Sequence, residues 1–141
     1  HLNEFSFLIF DKYHLVVIHR EKDSNDLLQN LIHIKKEKIS EEQYRQGLLN
    51  GDCIYYYDNG VASETYHYID GLREGVTEMF YRSGHLNMQG NYYKDKLHGQ
   101  VIFYYDGHNK IESKGQYVMG LKDSLWFFLS QIGDTLDVID Y

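Results

Sequence analysis

A fixed period constrains this chain more than any other feature. Gly51, Gly75 and Gly99 stand 24 residues apart, and Ser124 takes the equivalent place 25 residues after Gly99. Seven residues before these anchors come Tyr44, Tyr68, Tyr92 and Tyr117. Five and six residues after them come Tyr56-Tyr57, Phe80-Tyr81, Tyr104-Tyr105 and Leu129-Ser130. Glycine returns nine residues on, at Gly60, Gly84 and Gly133, with a one-residue insertion at Gly107-His108-Asn109 shifting the third copy. Four copies fill residues 44–141. A unit this short buries no core alone and has to lean on its neighbours.

Each copy reads as strand, turn, strand, turn. The stretch after the anchor, such as Cys53 to Tyr57 or Val101 to Tyr105, is aromatic or β-branched, as strands are. Asp58-Asn59-Gly60 and Arg82-Ser83-Gly84 end in the glycine that three-residue hairpin loops place at positive φ. A second strand follows, as in Leu86 to Tyr92, and Asp70 to Gly75 makes another glycine-bounded turn. The fold class expected is therefore mainly β: tandem antiparallel hairpins in one elongated sheet, preceded by a small α+β segment. Alternation puts Cys53/Tyr55/Tyr57, Thr77/Met79/Tyr81, Val101/Phe103/Tyr105 and Trp126/Phe128/Ser130 on one face. Tyr56, Phe80, Tyr104 and Leu129 fall on the other.

Composition divides the chain at the same place. All 12 glycines lie between Gly47 and Gly133, and only Tyr13 among the 14 tyrosines precedes Tyr44. The division is set at 1–43 for an N-terminal segment and 44–141 for the repeats. In the N-terminal segment, Phe5 to Phe10 and Tyr13 to Ile18 read as a hairpin about Asp11-Lys12. Ser24-Asn25-Asp26 offer helix caps, and Leu27, Leu28, Leu31 and Ile32 recur at helical spacing before Lys35-Lys36-Glu37-Lys38, which predicts a helix from Leu27 to Lys38. This segment is expected to cover one strand edge of the repeats, since open edges aggregate.

The charge narrows the partners. The chain carries a formal −7, and residues 47–141 hold 13 acidic against 7 basic side chains. That balance repels phosphate backbones and anionic lipid, so neither nucleic acid nor direct membrane binding is expected, whereas a basic protein is attracted. The longest apolar run, Phe7 to Phe10, is far below the ~18 residues of a membrane span. One cysteine, Cys53, makes no intrachain disulfide. The chain opens on His1, so a removed targeting peptide stays open; the cytoplasm is the expected compartment and the cell envelope the alternative.

No catalytic or cofactor signature stands out. Gly-x-Ser-x-Gly, Gly-x-x-x-x-Gly-Lys-Ser/Thr and Gly-x-Gly-x-x-Gly are all missing, as are His-Glu-x-x-His and Cys-x-x-Cys, so no enzyme activity, cofactor or metal is expected. Cys53 shares its repeat position with Thr77, Val101 and Trp126, which marks it as a packing residue rather than a nucleophile. The turn carboxylates read first as turn chemistry. Tyr is a favoured contact residue, so Tyr56, Phe80 and Tyr104 are the candidate partner-binding anchors, with Asp58, Glu74 and Asp106 as candidate rim charges.

The pattern Tyr-x-x-Gly-x-x-x-Gly followed by Tyr-Tyr-x-x-Gly-x-Leu resembles the bacterial variant of the MORN repeat, and Tyr92-Tyr93-Lys94-Asp95-Lys96-Leu97-His98-Gly99-Gln100 is close to that family's wording. Tandem copies in a chain of this size look like the YwqK-type antitoxin family. The resemblance implies an immunity protein or antitoxin that neutralises a partner toxin by stoichiometric binding. The alternative it leaves open is a structural or membrane-associated scaffold. Asp95 and Ser124 replace expected glycines, and the divergent last copy suits a terminal cap. Residues 1–46 lie outside the resemblance.

Overall fold

The computed structural model describes residues 5–11, 14–23, 26–34, 38–107 and 109–141, with side chains from residue 40 onward. Its strands are β1 (Phe5–Asp11), β2 (His14–Asp23), β3 (Asp26–Ile34), β4 (Lys38–Arg45), β5 (Leu48–Leu49), β6 (Gly51–Tyr56), β7 (Ala62–Ile69) and β8 (Leu72–Arg73). Then follow β9 (Gly75–Phe80), β10 (Leu86–Tyr93), β11 (Lys96–Leu97), β12 (Gly99–Tyr104), β13 (Ile111–Val118), β14 (Leu121–Leu129) and β15 (Thr135–Asp140). They form one open sheet in the order β1-β2-β3-β4-β6-β7-β9-β10-β12-β13-β14-β15, with β5, β8 and β11 pairing back onto β4, β7 and β10. Every pairing is antiparallel. The mainly β reading and the tandem hairpins hold.

The N-terminal segment corrects one expectation. The β1–β2 hairpin forms, from Phe5↔Arg20 to Asp11↔His14. The helix predicted from Leu27 does not: residues 26–34 are strand β3. Main-chain partners flank β3 on both sides, with Leu15↔Ile34 to Asp23↔Asp26 on β2 and Leu28↔Arg45 to Ile34↔Lys38 on β4. A ladder on each side outweighs leucine's modest helix preference, which is a weak prior wherever tertiary pairing is offered. The α component is thus absent among the described residues. Lys12, Tyr13, Ser24, Asn25 and Lys35 to Glu37 lie outside them, as does His108. β4 spans the 43/44 division and pairs with β6 through Ser40↔Tyr55 and Glu41↔Ile54, so this edge of the repeats is covered by a strand.

Two kinds of turn separate the hairpins and define two edges of the sheet. At one edge, Gln46-Gly47, Asp70-Gly71, Lys94-Asp95 and Met119-Gly120 all have positive φ at both residues, which makes tight two-residue hairpins whose twist suits the flanking strands. At the other, Tyr57 N–H donates to Val61 O and Gly60 N–H to Tyr57 O, and Tyr81, Gly84 and His85 repeat the arrangement. Asp95 (φ 69°) and Ser124 (φ 59°) replace glycine in the motif yet keep the left-handed backbone that the position requires.

Copies are joined by short seams. β7 meets β9 only at Glu64↔Met79 and Thr65↔Glu78, and β10 meets β12 only at Met88↔Phe103 and Gln89↔Ile102. A side-chain ladder reinforces each seam: Tyr57 Oη donates to Phe80 O at 2.7 Å, Tyr81 Oη to Tyr104 O at 2.7 Å and Tyr105 Oη to Leu129 O at 2.8 Å. Ser130, at the next equivalent position, is too short to continue it.

One face of this single layer supplies its own core. Cys53, Thr77, Val101 and Trp126, each two residues after an anchor, are essentially inaccessible. Beside them runs a second row whose size is complementary. Gly90 lies against Val101, where a Cβ would come within 3.1 Å of Cγ2, and Gly115 lies against the Trp126 ring, where a Cβ would overlap it. Tyr66 and Thr77 occupy the equivalent positions at the first seam, large and small in reversed order.

Candidate interaction face

The two faces of the sheet differ in how far the protein itself covers them. On the packed face, Tyr66 makes edge contacts with Tyr55, Tyr68 and Tyr92 at centroid distances of 6.1, 6.1 and 5.9 Å. Trp126 is surrounded by Tyr117 (5.3 Å), Tyr141 (6.2 Å), Phe103 (6.3 Å) and Phe128 (6.5 Å), and its Nε1–H donates to Gln116 O. Cations then lie over the rings. Arg73 Cζ is 4.2 Å from the Tyr92 centroid and 5.5 Å from that of Tyr66, while Lys122 Nζ is 4.3 Å from Trp126 and 4.6 Å from Tyr141. Such contacts contribute about 0.5–2 kcal/mol each, depending on desolvation.

Ionisation follows this packing. Burial, with a hydrogen bond to Glu42, pushes the Tyr44 hydroxyl up to about 12, and burial likewise raises Tyr55 and Tyr66, the latter helped by Glu64. Burial also raises the Cys53 thiol, which is fully enclosed and so a poor nucleophile. A hydrogen bond from Arg73 Nε at 2.6 Å holds the Asp95 carboxyl below the usual range.

The open face carries the candidate anchors. Tyr56, Phe80 and Tyr104 end successive first strands and are half-buried, each paired with a residue two positions earlier: Ile54, Glu78 and Ile102. Two strands per copy put neighbouring anchors about 10 Å apart, so the row spans about 20 Å. Phe127 and Leu129 extend it into the last copy. Apolar neighbours on the same face are more open: Val76 is 58% exposed, Leu125 49% and Val138 44%. Where the seams fork, an open groove of about 260 Å³ forms between the first two copies, lined by Asp52, Ile54, Thr65, His67 and Val76 among others. His67 Nδ1 meets Asp52 Oδ1 at 2.7 Å beside it.

The candidate rim charges separate. Asp58 pairs with Arg82 Nη2, and Asp106 accepts from Ser83 Oγ at 2.6 Å with His85 Nδ1 at 3.1 Å; both lie in the turns beside the aromatic row. Each therefore ties its own copy to a neighbour as well as flanking the row. Glu74 sits at the opposite edge, where its Oε1 accepts from Lys94 N–H at 3.0 Å. Tyr56 donates to Glu41 Oε1 at 2.7 Å.

Among the described residues, no three His, Cys, Asp or Glu side chains converge as a metal site would. No helix among them is long and apolar enough to cross a membrane. Sequence reasoning missed the ring-covering Arg73 and Lys122; the available signal was a basic residue at a repeat position where Leu49 and Leu97 stand in the other copies. No family model matches the chain, and neither a curated protein nor a solved structure matches it.

Proposed function

We propose that the chain is a protein-binding repeat module that takes one partner on its open face, and that it works as an immunity protein or antitoxin neutralising a toxin by stoichiometric binding. The observation that carries the reading is the inequality of the two faces. One is closed by its own rings and cations, while the other presents Tyr56, Phe80 and Tyr104 in register with exposed Val76 and Leu125 beside them. Contiguous apolar surface rimmed by polar groups is what protein interfaces use, and tyrosine contributes large contact area at small entropic cost. The acidity of the repeats favours a basic partner and would speed its encounter. The antitoxin role rests on the resemblance of the repeats to the bacterial MORN variant.

The test is growth rescue. The chain is co-expressed with the product of the gene adjoining its own, and wild type is expected to relieve any toxicity of that product and to co-purify with it one-to-one. The Tyr56→Ala/Phe80→Ala/Tyr104→Ala variant, shown to fold by circular dichroism, is expected to lose both. Rescue by the folded triple variant would move the site elsewhere, and turnover of a substrate by the purified chain would overturn the binding-module reading.

A further inference from the structure

Three forks along the open face share one backbone device and differ in what fills them. Eight residues before the glycine anchors stand Gln43, His67 and Asn91, whose carbonyls accept from Asn50, Glu74 and His98 N–H at 2.8, 2.8 and 2.9 Å. From each of these bonds the main chains part, and they pair again only at Glu41↔Ile54, Thr65↔Glu78 and Gln89↔Ile102. The first fork is closed by its own side chain. Gln43 Oε1 accepts from Asp52 N–H at 3.2 Å and fills the space that a Cβ on Gly51 would need. In the third, Gln89, Asn91 and Gln100 line an uncharged cleft of about 120 Å³.

The second fork stays wider because its residue is drawn elsewhere. His67 Nδ1 meets Asp52 Oδ1 at 2.7 Å across the β6–β7 pair, so the imidazole is turned toward β6 rather than across the fork to β9. What remains is the groove of about 260 Å³, with Ile54 and Val76 as apolar walls and Thr65 between them. Asp52 lines the same groove, uses one oxygen on His67 and is 78% exposed, which leaves its other oxygen open to a ligand. The next two copies place Val76 and Gln100 at the repeat position of Asp52, so the charge belongs to this fork alone among the three.

Such a groove selects a side chain with an alkyl stem and a cationic head. The stem lies against Ile54 and Val76 while the head reaches Asp52. A guanidinium suits the site better than an ammonium, because it is flat, gives up water more readily and has donors enough for both the Asp52 oxygen and the Thr65 hydroxyl. We propose that this groove is a subsite for an arginine side chain of the partner protein, with Asp52 as its counter-charge. The proposal rests on the protein-binding reading above and deepens it by naming the partner residue that the face selects. Ile54 stands two residues before Tyr56, so the subsite adjoins the aromatic row.

The probe is Nα-acetyl-arginine N-methylamide, titrated into the full chain and followed by amide-resolved NMR. Shifts are expected at Ile54, Thr65, His67 and Val76, with half-saturation in the millimolar range that one side chain in an open groove supports. The neutral isostere, the matching citrulline amide, should bind about threefold or more weakly, the scale of an exposed charge pair, and the preference should fade with added salt. The lysine amide should fall between the two. Asp52→Asn should bring arginine and citrulline to equal affinity. His67→Gln copies the first fork: its Oε1 would take Val76 N–H as Gln43 takes that of Asp52, closing the groove to all three amides. Both positions are exposed, and circular dichroism checks that both variants fold. Citrulline binding as tightly as arginine, lysine binding more tightly, shifts centred on other carboxylates, or undiminished arginine binding to either variant would each overturn the proposal. The probe needs no partner. Arginine binding here, with growth still rescued by the Tyr56→Ala/Phe80→Ala/Tyr104→Ala variant, would count against the aromatic row alone, and the reverse pair of results against the groove alone.

Discussion

Replacing Gly115 by alanine tests how the seams are packed. Gly115 has an ordinary negative-φ strand backbone, so alanine is conformationally acceptable and in an open slot would stabilise by about 0.5–1 kcal/mol. Here the added Cβ would overlap Trp126 Cδ2 and Cε2 and come within 2.6 Å of Cγ. The ring cannot retreat easily, because Tyr117, Phe103, Phe128 and Tyr141 enclose it and Gln116 O holds its Nε1–H. Overpacking of a well-filled site costs about 1–3 kcal/mol, and the rigidity of this one puts Gly115→Ala near 3 kcal/mol. Trp126→Val copies the Gly90–Val101 seam, where a Cβ would face Val101 Cγ2 at 3.1 Å, a tight contact rather than an overlap. By itself Trp126→Val costs about 3 kcal/mol or more through lost burial. In that background Gly115→Ala should cost about 0–1 kcal/mol, a coupling of about 2–3 kcal/mol between the two sites. Urea unfolding followed by far-ultraviolet circular dichroism measures all four proteins, since the tryptophan emission is lost with the chain's one tryptophan. Equal costs of Gly115→Ala in both backgrounds would refute the steric reasoning.

Three further outcomes are expected. Gly84→Val, at φ +90°, should destabilise by more than the ~1 kcal/mol of an average substitution, read as a fall in melting temperature. Tyr81→Phe deletes one rung of the tyrosine ladder and should cost about 1 kcal/mol in urea, whereas Ser130→Ala touches no rung and should lose only the exposed turn hydrogen bond that Ser130 Oγ accepts from Asp134 N–H. Asp95 has a depressed folded pKa, so its contribution is complete above the ordinary carboxylate value near 3.9 and is lost as pH falls through the folded one; Asp95→Asn should flatten the acid limb of the stability profile.

What was legible in the sequence is what recurs locally. The period, the glycine at φ +80° in Gly60 and the alternation that hides Cys53 all depend on contacts within one copy or its immediate neighbour. β3 was not legible, because its leucines satisfy helical and extended spacing alike and the decision comes from ladders contributed by β2 and β4. The division of the candidate rim charges was hidden for a related reason. Asp58, Glu74 and Asp106 look alike as turn carboxylates, and only the strand directions show that Glu74 belongs to the opposite edge. Lys122 was passed over because a basic residue reads as solvated surface until the rings beneath it are seen.

The paired slot sizes at the seams act as a key that orders the copies. Loss of residues 99–123, one whole unit, would bring Gly90 against Trp126, and a glycine is what that indole already faces. Loss of residues 75–98 would instead set the Tyr66 ring against Val101, where a glycine stood before. Units that look interchangeable by their motif are therefore not interchangeable by their joints, and shortening keeps a glycine against the incoming side chain at one junction but not at the other.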